Sequence, residues 1–186
     1  AECRLVGRRA LPGQAAPQET VHFTAKVRLE KGEAKVETYA AALENPGAAL
    51  AAADIYRVYF HGPAYQVLEK VQVTGNRSVG LMAENLPANT TPDGVASLMA
   101  PRLIELCFQT AGMWEILTKG MMALPAAIES VTTYRQPEEA NGQRLIAYVT
   151  VRDGGQAFDA QVVDESGNLY VDMRGYRTAE FGPVTL

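Results

Sequence analysis

The chain has 186 residues, enough for one good core or for one domain and part of another. Hydrophobic residues make up 47% and charged residues 20%, which is ordinary for a globular protein, and the formal charge of −4 gives no electrostatic case for nucleic acid or an anionic membrane as partner. No apolar run approaches the ~20 residues of a membrane span, and the start Ala1-Glu2-Cys3-Arg4 lacks the plan of a signal peptide, so a cytoplasmic setting is expected.

Residues 3–9 and 19–30 read as strands. In the second of them Val21, Phe23, Ala25, Val27 and Leu29 alternate with polar residues and define one face. Leu11-Pro12-Gly13 breaks the chain between these strands, and Lys31-Gly32-Glu33 turns it toward a third short strand at 34–39, giving a β-meander. His22 falls on the polar face and reads as a surface or edge residue. The Ala-rich segment 41–53, with Asn45-Pro46-Gly47 in its middle, reads as a linker with a turn of helix at either side, and a domain boundary is expected there. The chain opens on Ala1 without an initiator Met and enters a strand-like sequence at once, so it reads as a piece cut from a longer polypeptide.

From residue 54 the pattern changes. Asp54–Phe60 leads into His61-Gly62-Pro63-Ala64-Tyr65-Gln66, followed by strands near 66–74 and 78–86 joined at Gly75-Asn76, a pair typical of hairpin turns. A polar loop over 87–97 precedes a long apolar stretch from Ala100 to Lys119. Strand candidates follow near 127–135, 143–152 and 156–164, and Asp164-Glu165-Ser166-Gly167-Asn168 turns the chain into a last strand at 169–178. One long helix among five or six antiparallel strands is an α+β plan in which a sheet wraps a central helix, a hot-dog layout.

That helix organises the rest. Leu103, Ile104, Leu106, Cys107, Phe108, Ala111, Met113, Trp114, Ile116 and Leu117 recur so densely that it must be buried on most of its circumference. Pro101 suits the first helical turn and Gly120 the stop. Cys107 reads as core packing; with Cys3 it makes neither a disulfide framework nor a metal-ligand spacing. Glu105 and Gln109 lie four apart, so one turn puts a carboxyl and an amide on the same face. Either Glu105 reaches the helix edge and is solvated, or it faces a substrate tunnel as a general acid or base, where desolvation favours the neutral form of a carboxyl.

Three stretches resemble, in order and spacing, the second half of the double hot-dog dehydratase domains of polyketide synthases and of related polyunsaturated fatty acid synthases. His61-Gly62-Pro63-Ala64-Tyr65-Gln66 is similar to the family's Tyr-Gly-Pro-x-Phe-Gln segment, with His61 at the Tyr place and Tyr65 at the Phe place. The stretch Ala100–Gln109 resembles the helix motif His-Pro-x-x-x-Asp-x-x-x-Gln/His, and Leu124-Pro125 the segment that opens the strand after it. The resemblance covers about 54–180, which places a second hot dog at 54–186 and closing strands of a first at 1–40. It departs in three places: Glu105 stands for the Asp, Ala100 for the His before the Pro, and neither His22 nor His61 fits the family's His-x-x-x-Gly-x-x-x-x-Pro motif.

The resemblance implies a 3-hydroxyacyl thioester dehydratase acting on chains carried by the phosphopantetheine of an acyl carrier protein, without metal or other cofactor. Glu105 would be the acid, with Gln109 orienting it or holding the substrate hydroxyl. His61, Gly62 and Pro63 would border the tunnel, Gly62 allowing close backbone approach, and Tyr65 would pack against the acyl chain. His61 can equally be a cap on a strand end. The base would come from the preceding hot-dog half of the same polypeptide, which is expected to be dimeric in the parent synthase, so this piece alone should be inactive. Two alternatives remain open: a catalytically silent scaffold or acyl-binding module in a megasynthase, and a lone hot-dog thioesterase or hydratase acting as a homodimer.

Overall fold

The structure, a computed structural model, describes residues 1–30 and 49–185 except Asp93 and Ala96. The expected strand at 34–39 and most of the expected linker lie outside the described residues. Two compact units divide the chain, Ala1–Lys35 and Val36–Leu186.

In the first unit β1 (Glu2–Arg9) pairs antiparallel with β2 (Gln18–Lys26). The register slips between Leu5↔Phe23 and Val6↔Val21, which leaves His22 as the extra residue of a β-bulge. His22 is exposed, as expected for the polar side of the strand, and lies over Gly7. Leu5, Val21 and Phe23 are exposed as well.

The second unit is built on one curved antiparallel sheet. Its elements are β3 (Leu50–Ala51), α1 (Ala52–Val58), β4 (Leu68–Thr74), β5 (Arg77–Met82), α2 (Pro101–Lys119), β6 (Met121–Ala127), β7 (Ser130–Thr133), β8 (Leu145–Arg152), β9 (Ala157–Asp164) and β10 (Leu169–Pro183). The strands lie in the order β3-β4-β5-β8-β9-β10-β6, with β7 also paired to β10. The sheet has eight strands rather than the five or six expected. The strand expected near 127–135 is the shorter β7, and β6, which precedes it, was not among the expected strands; the two pair with different parts of β10. β7 faces Val171–Arg174 and β6 faces Arg177–Pro183. Between those parts β10 bends at Gly175, whose φ of 60° is open to glycine and whose bare Cα lets the Glu129 side chain lie against it.

Helix α2 lies in the concave face of this sheet, touching β4, β5, β6, β8, β9 and β10. Pro101 opens it without loss of a hydrogen bond, and Gly120 ends it in the left-handed conformation at φ 66°, as the sequence leads one to expect. Leu103, Leu106, Cys107 and Met113 are fully buried and share one core with Leu68, Val71, Val149, Phe158, Val162 and Met173. Each such large aliphatic side chain contributes roughly 1.5–3 kcal/mol on burial. The Trp114 ring meets Phe158 edge-on at 5.8 Å, and Phe108 stacks on Tyr176 at 4.6 Å. The result is the α+β hot-dog layout. Among the described residues no helix is long and apolar enough to cross a membrane.

Helix α1 corrects the sequence reading of 50–60. Residues expected to finish a linker form β3, which pairs with β4, and a helix whose Ile55 is fully buried. Ile55 and Tyr59 join the α2 core, so α1 lies against the main helix.

Candidate active site

Glu105 and Gln109 are brought together as their spacing predicts. Gln109 Nε2 donates to Glu105 Oε1 at 2.9 Å. Gln109 itself is 2% exposed, and its amide is bonded on both sides. Nε2 also donates to the Tyr65 carbonyl at 2.8 Å, while Oε1 accepts from the Tyr56 hydroxyl at 2.7 Å. A buried amide with all its neighbours matched has one orientation, since a flip would set its oxygen against the Tyr65 carbonyl.

His61 arrives from the opposite side, on the loop between α1 and β4. Its Nε2 lies 2.9 Å from the same Glu105 Oε1, and both side chains are 20% exposed. His61 Nδ1 is buried without a hydrogen-bond partner among the described residues. A lone pair without a partner is less costly there than an unpaired N–H, so the ring hydrogen belongs on Nε2, pointing at the carboxyl. The ring is held by Phe60, stacked at 5.0 Å, and by the edge of Tyr59 at 5.3 Å. His61 is therefore not a strand-end cap. It is the direct partner of Glu105.

The loop carrying His61 is tied down at several points. Gln66 Nε2 donates to the His61 carbonyl at 3.1 Å. Arg102, in the first turn of α2, donates from Nε to the Ala64 carbonyl at 3.1 Å and also donates to the Pro87 carbonyl. Pro63 opens a single 3-10 turn, Pro63–Tyr65, whose last carbonyl is the one that meets Gln109. Tyr65 is half-buried, with its hydroxyl 3.4 Å from Asn89 Nδ2. Gly62 and Pro63 are exposed. Gly62 has an ordinary extended backbone, φ −69° and ψ 165°, and among the described residues no atom beyond its chain neighbours lies within 4 Å of where a Cβ would stand. Nothing in the protein's own packing requires glycine there.

Tyr56 of α1 and Tyr59, its C-cap, complete the arrangement. Tyr56 accepts the Leu68 N–H at 2.7 Å while donating to Gln109, and Tyr59 donates to the Gln109 carbonyl at 2.9 Å. Gly112 makes room for the second contact: a Cβ on it would overlap the Tyr59 hydroxyl. Burial pushes both hydroxyls well above their ordinary values, so they keep their protons and serve as donors. Sequence reasoning passed over both. Their spacing of three within Asp54–Tyr59, one helical turn, was the available signal.

At Oε1, then, two N–H donors converge. Among the described residues no hydrogen bond is made to Glu105 Oε2. A carboxyl held this way can carry a proton on its unoccupied oxygen and present it to a hydroxyl, or take one from it.

The model of the polyketide synthase dehydratase N-terminal domain matches residues 30–185. Among solved structures, the dehydratase domain from the CurF module of the curacin polyketide synthase superposes with a TM-score of 0.61 at 21% identity, covering 89% of this chain and 60% of its own. A trans-AT polyketide synthase dehydratase domain from Brevibacillus brevis gives 0.69 at 20% identity, covering 97% and 64%. The CurK dehydratase of the curacin synthase gives 0.65 at 19% identity, covering 89% and 58%, and its His→Phe and Asp→Asn variants are inactive mutants. The chain thus spans about three fifths of the length of the dehydratase domains it matches, and at these identities the likeness shows the fold. With the family match running over most of its length, the chain belongs to the polyketide synthase dehydratase domain family.

Proposed function

We propose that this chain is the C-terminal part of a 3-hydroxyacyl thioester dehydratase and that Glu105 is its acid. The observation that carries the reading is the convergence of His61 Nε2 and Gln109 Nε2 on one oxygen of Glu105. Both donors point at Oε1, which leaves Oε2 for the transferable proton. A base from the preceding half of the same polypeptide removes a proton from the carbon next to the thioester carbonyl. The electron pair of that C–H bond becomes the second bond of the enoyl product as the C3–O bond breaks, and the Oε2 proton leaves with the hydroxyl as water. The inactive His→Phe and Asp→Asn mutants of the CurK dehydratase fit a base and acid division of this kind. Here Glu105 takes the acid's place with one more methylene.

His61, Gly62, Pro63 and Tyr65 border the substrate. The room beside Gly62 allows the acyl chain or pantetheine to approach the backbone, and the half-buried Tyr65 ring offers an apolar wall. The substrate is delivered by an acyl carrier protein on its phosphopantetheine arm, in a parent synthase that works as a dimer in the cytoplasm.

A second reading has its own support. Ala100, at the place of the family's His, is buried and gives α2 no side-chain cap, and Glu105 replaces the Asp, as in a domain that has lost its chemistry and serves as a scaffold or acyl-binding module. The test is dehydration of a 3-hydroxyacyl thioester by the parent polypeptide that includes the segment before Ala1. Water loss that Glu105→Gln removes, with folding intact, supports the acid role. No water loss from the parent, or water loss that survives Glu105→Gln, overturns it in favour of the silent domain or of another acid.

A further inference from the structure

Leu68 N–H, the Tyr56 hydroxyl, the Gln109 amide and the Glu105 carboxyl form an unbroken series of hydrogen bonds of 2.7, 2.7 and 2.9 Å. Its direction is determined at one end by chemistry. A backbone N–H only donates, so the Tyr56 oxygen accepts from Leu68 and its hydrogen goes on to Gln109 Oε1. With Oε1 occupied, the Gln109 amide turns its N–H groups toward the Tyr65 carbonyl and Glu105. Each donor in such a series polarises the next.

We infer that Tyr56 is a positioning residue of the site: it receives a backbone N–H from β4 and passes the donor direction through Gln109, so that Glu105 Oε1 is held as an acceptor and the acid's proton is confined to Oε2. The inference rests on the proposed acid role of Glu105. Tyr56 is suited to the task because its ring is fixed between elements that do not depend on substrate, in α1 and against β4. Its hydroxyl is hydrogen-bonded to the Leu68 N–H and Gln109 and not to Glu105, so its influence runs through Gln109. Burial keeps the hydroxyl protonated, which preserves the donor.

The test uses side-chain amide exchange in the chain itself and a mutant cycle in the parent polypeptide. With Gln109 labelled in its amide, Tyr56→Phe should raise the exchange rate of the Nε2 hydrogens about tenfold while the backbone amides of α2 keep theirs. In the parent, Tyr56→Phe should lower kcat with little change in KM, and in a Gln109→Met background it should lower it no further. Unchanged Gln109 exchange, or losses that add, would overturn the inference. If Tyr56→Phe disturbs folding, the wild-type chain decides. Its Gln109 Nε2 hydrogens should show nuclear Overhauser contacts to the Glu105 γ-protons, and contacts to the Tyr56 ring in their place would sink the idea. Failure of the acid role shows up separately, as activity that survives Glu105→Gln, and leaves the exchange result to be read by itself.

Discussion

Glu105 and Glu115 share helix α2 and differ in everything around them. Glu115 is 2% exposed and accepts from Thr178 Oγ1 at 2.9 Å, with Lys119 Nζ at 3.4 Å on the same oxygen and its other oxygen buried without a partner among the described residues. Burial pushes its carboxyl above the ordinary value, against the pull of Thr178 and Lys119. Glu105 is less buried, yet its Oε1 is met by His61 Nε2 and Gln109 Nε2, and among the described residues no hydrogen bond is made to its Oε2. A carboxyl becomes usable for proton transfer when donors organise one oxygen and leave the other accessible. Depth alone makes a core residue that prefers to be neutral.

The largest effect that would break this contrast is catalytic. In the parent polypeptide, Glu105→Gln is expected to lower kcat on a 3-hydroxyacyl thioester by about 10³-fold, while Glu115→Gln leaves it within about twofold. Steady-state kinetics on the two variants decide. Equal losses would mean that the two carboxyls do not divide as their surroundings say.

Gly112 sits between the two glutamates and tests whether the Tyr59 contact is structural. Alanine in a helix interior is normally favoured over glycine by about 1 kcal/mol. Here the added Cβ collides with the Tyr59 hydroxyl, so Gly112→Ala should instead destabilise by about 1–3 kcal/mol, the usual range for overpacking. Urea unfolding gives the sign directly, and a stabilised variant would mean that Tyr59 has room to retreat.

Glu115 also carries a pH signature. Its pKa is raised in the folded state, so the native protein holds a proton that the unfolded chain releases. The stability this lends is complete below the ordinary carboxyl value and is lost as pH rises through the raised one. Glu115→Gln cannot ionise and should escape that loss. Relative to wild type it should gain stability between pH 4 and pH 8 in urea titrations, and a constant difference across that window would remove Glu115 from the account.

The contrast also shows what a sequence can disclose. Helix α2 and the Glu105–Gln109 pair were legible because both follow from a local period: dense apolar recurrence bounded by Pro101 and Gly120, and a spacing of four. The His61–Glu105 contact was reachable only through the order of the resembling segments, since a loop residue has no period to read. Glu115 passed unnoticed because a lone acid in an apolar helix looks like a solvated edge, and its burial comes from β10 far along the chain. Tyr56 and Tyr59 were missed with α1, whose seven residues carry too short a repeat to stand out beside the neighbouring strands. Strand β6 was not foreseen beside β7, because the two are kept apart by a bend at Gly175 of their shared partner β10, and no pattern within 121–135 records it.

The smallest expected effect sharpens the contrast most narrowly. Thr178→Val keeps the shape of the side chain and removes the donor to Glu115 Oε1, leaving Lys119 as the nearest charge on that oxygen. Because this hydrogen bond favours the ionised carboxylate, its loss should raise the Glu115 pKa further. At pH 4, where the carboxyl is protonated, the missing bond joins neutral groups and its loss should destabilise by about 0.5–1 kcal/mol. At pH 7 the native state must either ionise Glu115 without its donor or keep the proton against solvent, and the penalty should approach about 1.5–2 kcal/mol. The pH dependence of the difference is therefore the readout. Equal losses at both pH values would show that Thr178 acts through the packing of β10 alone, and that Lys119 suffices to hold the buried carboxylate.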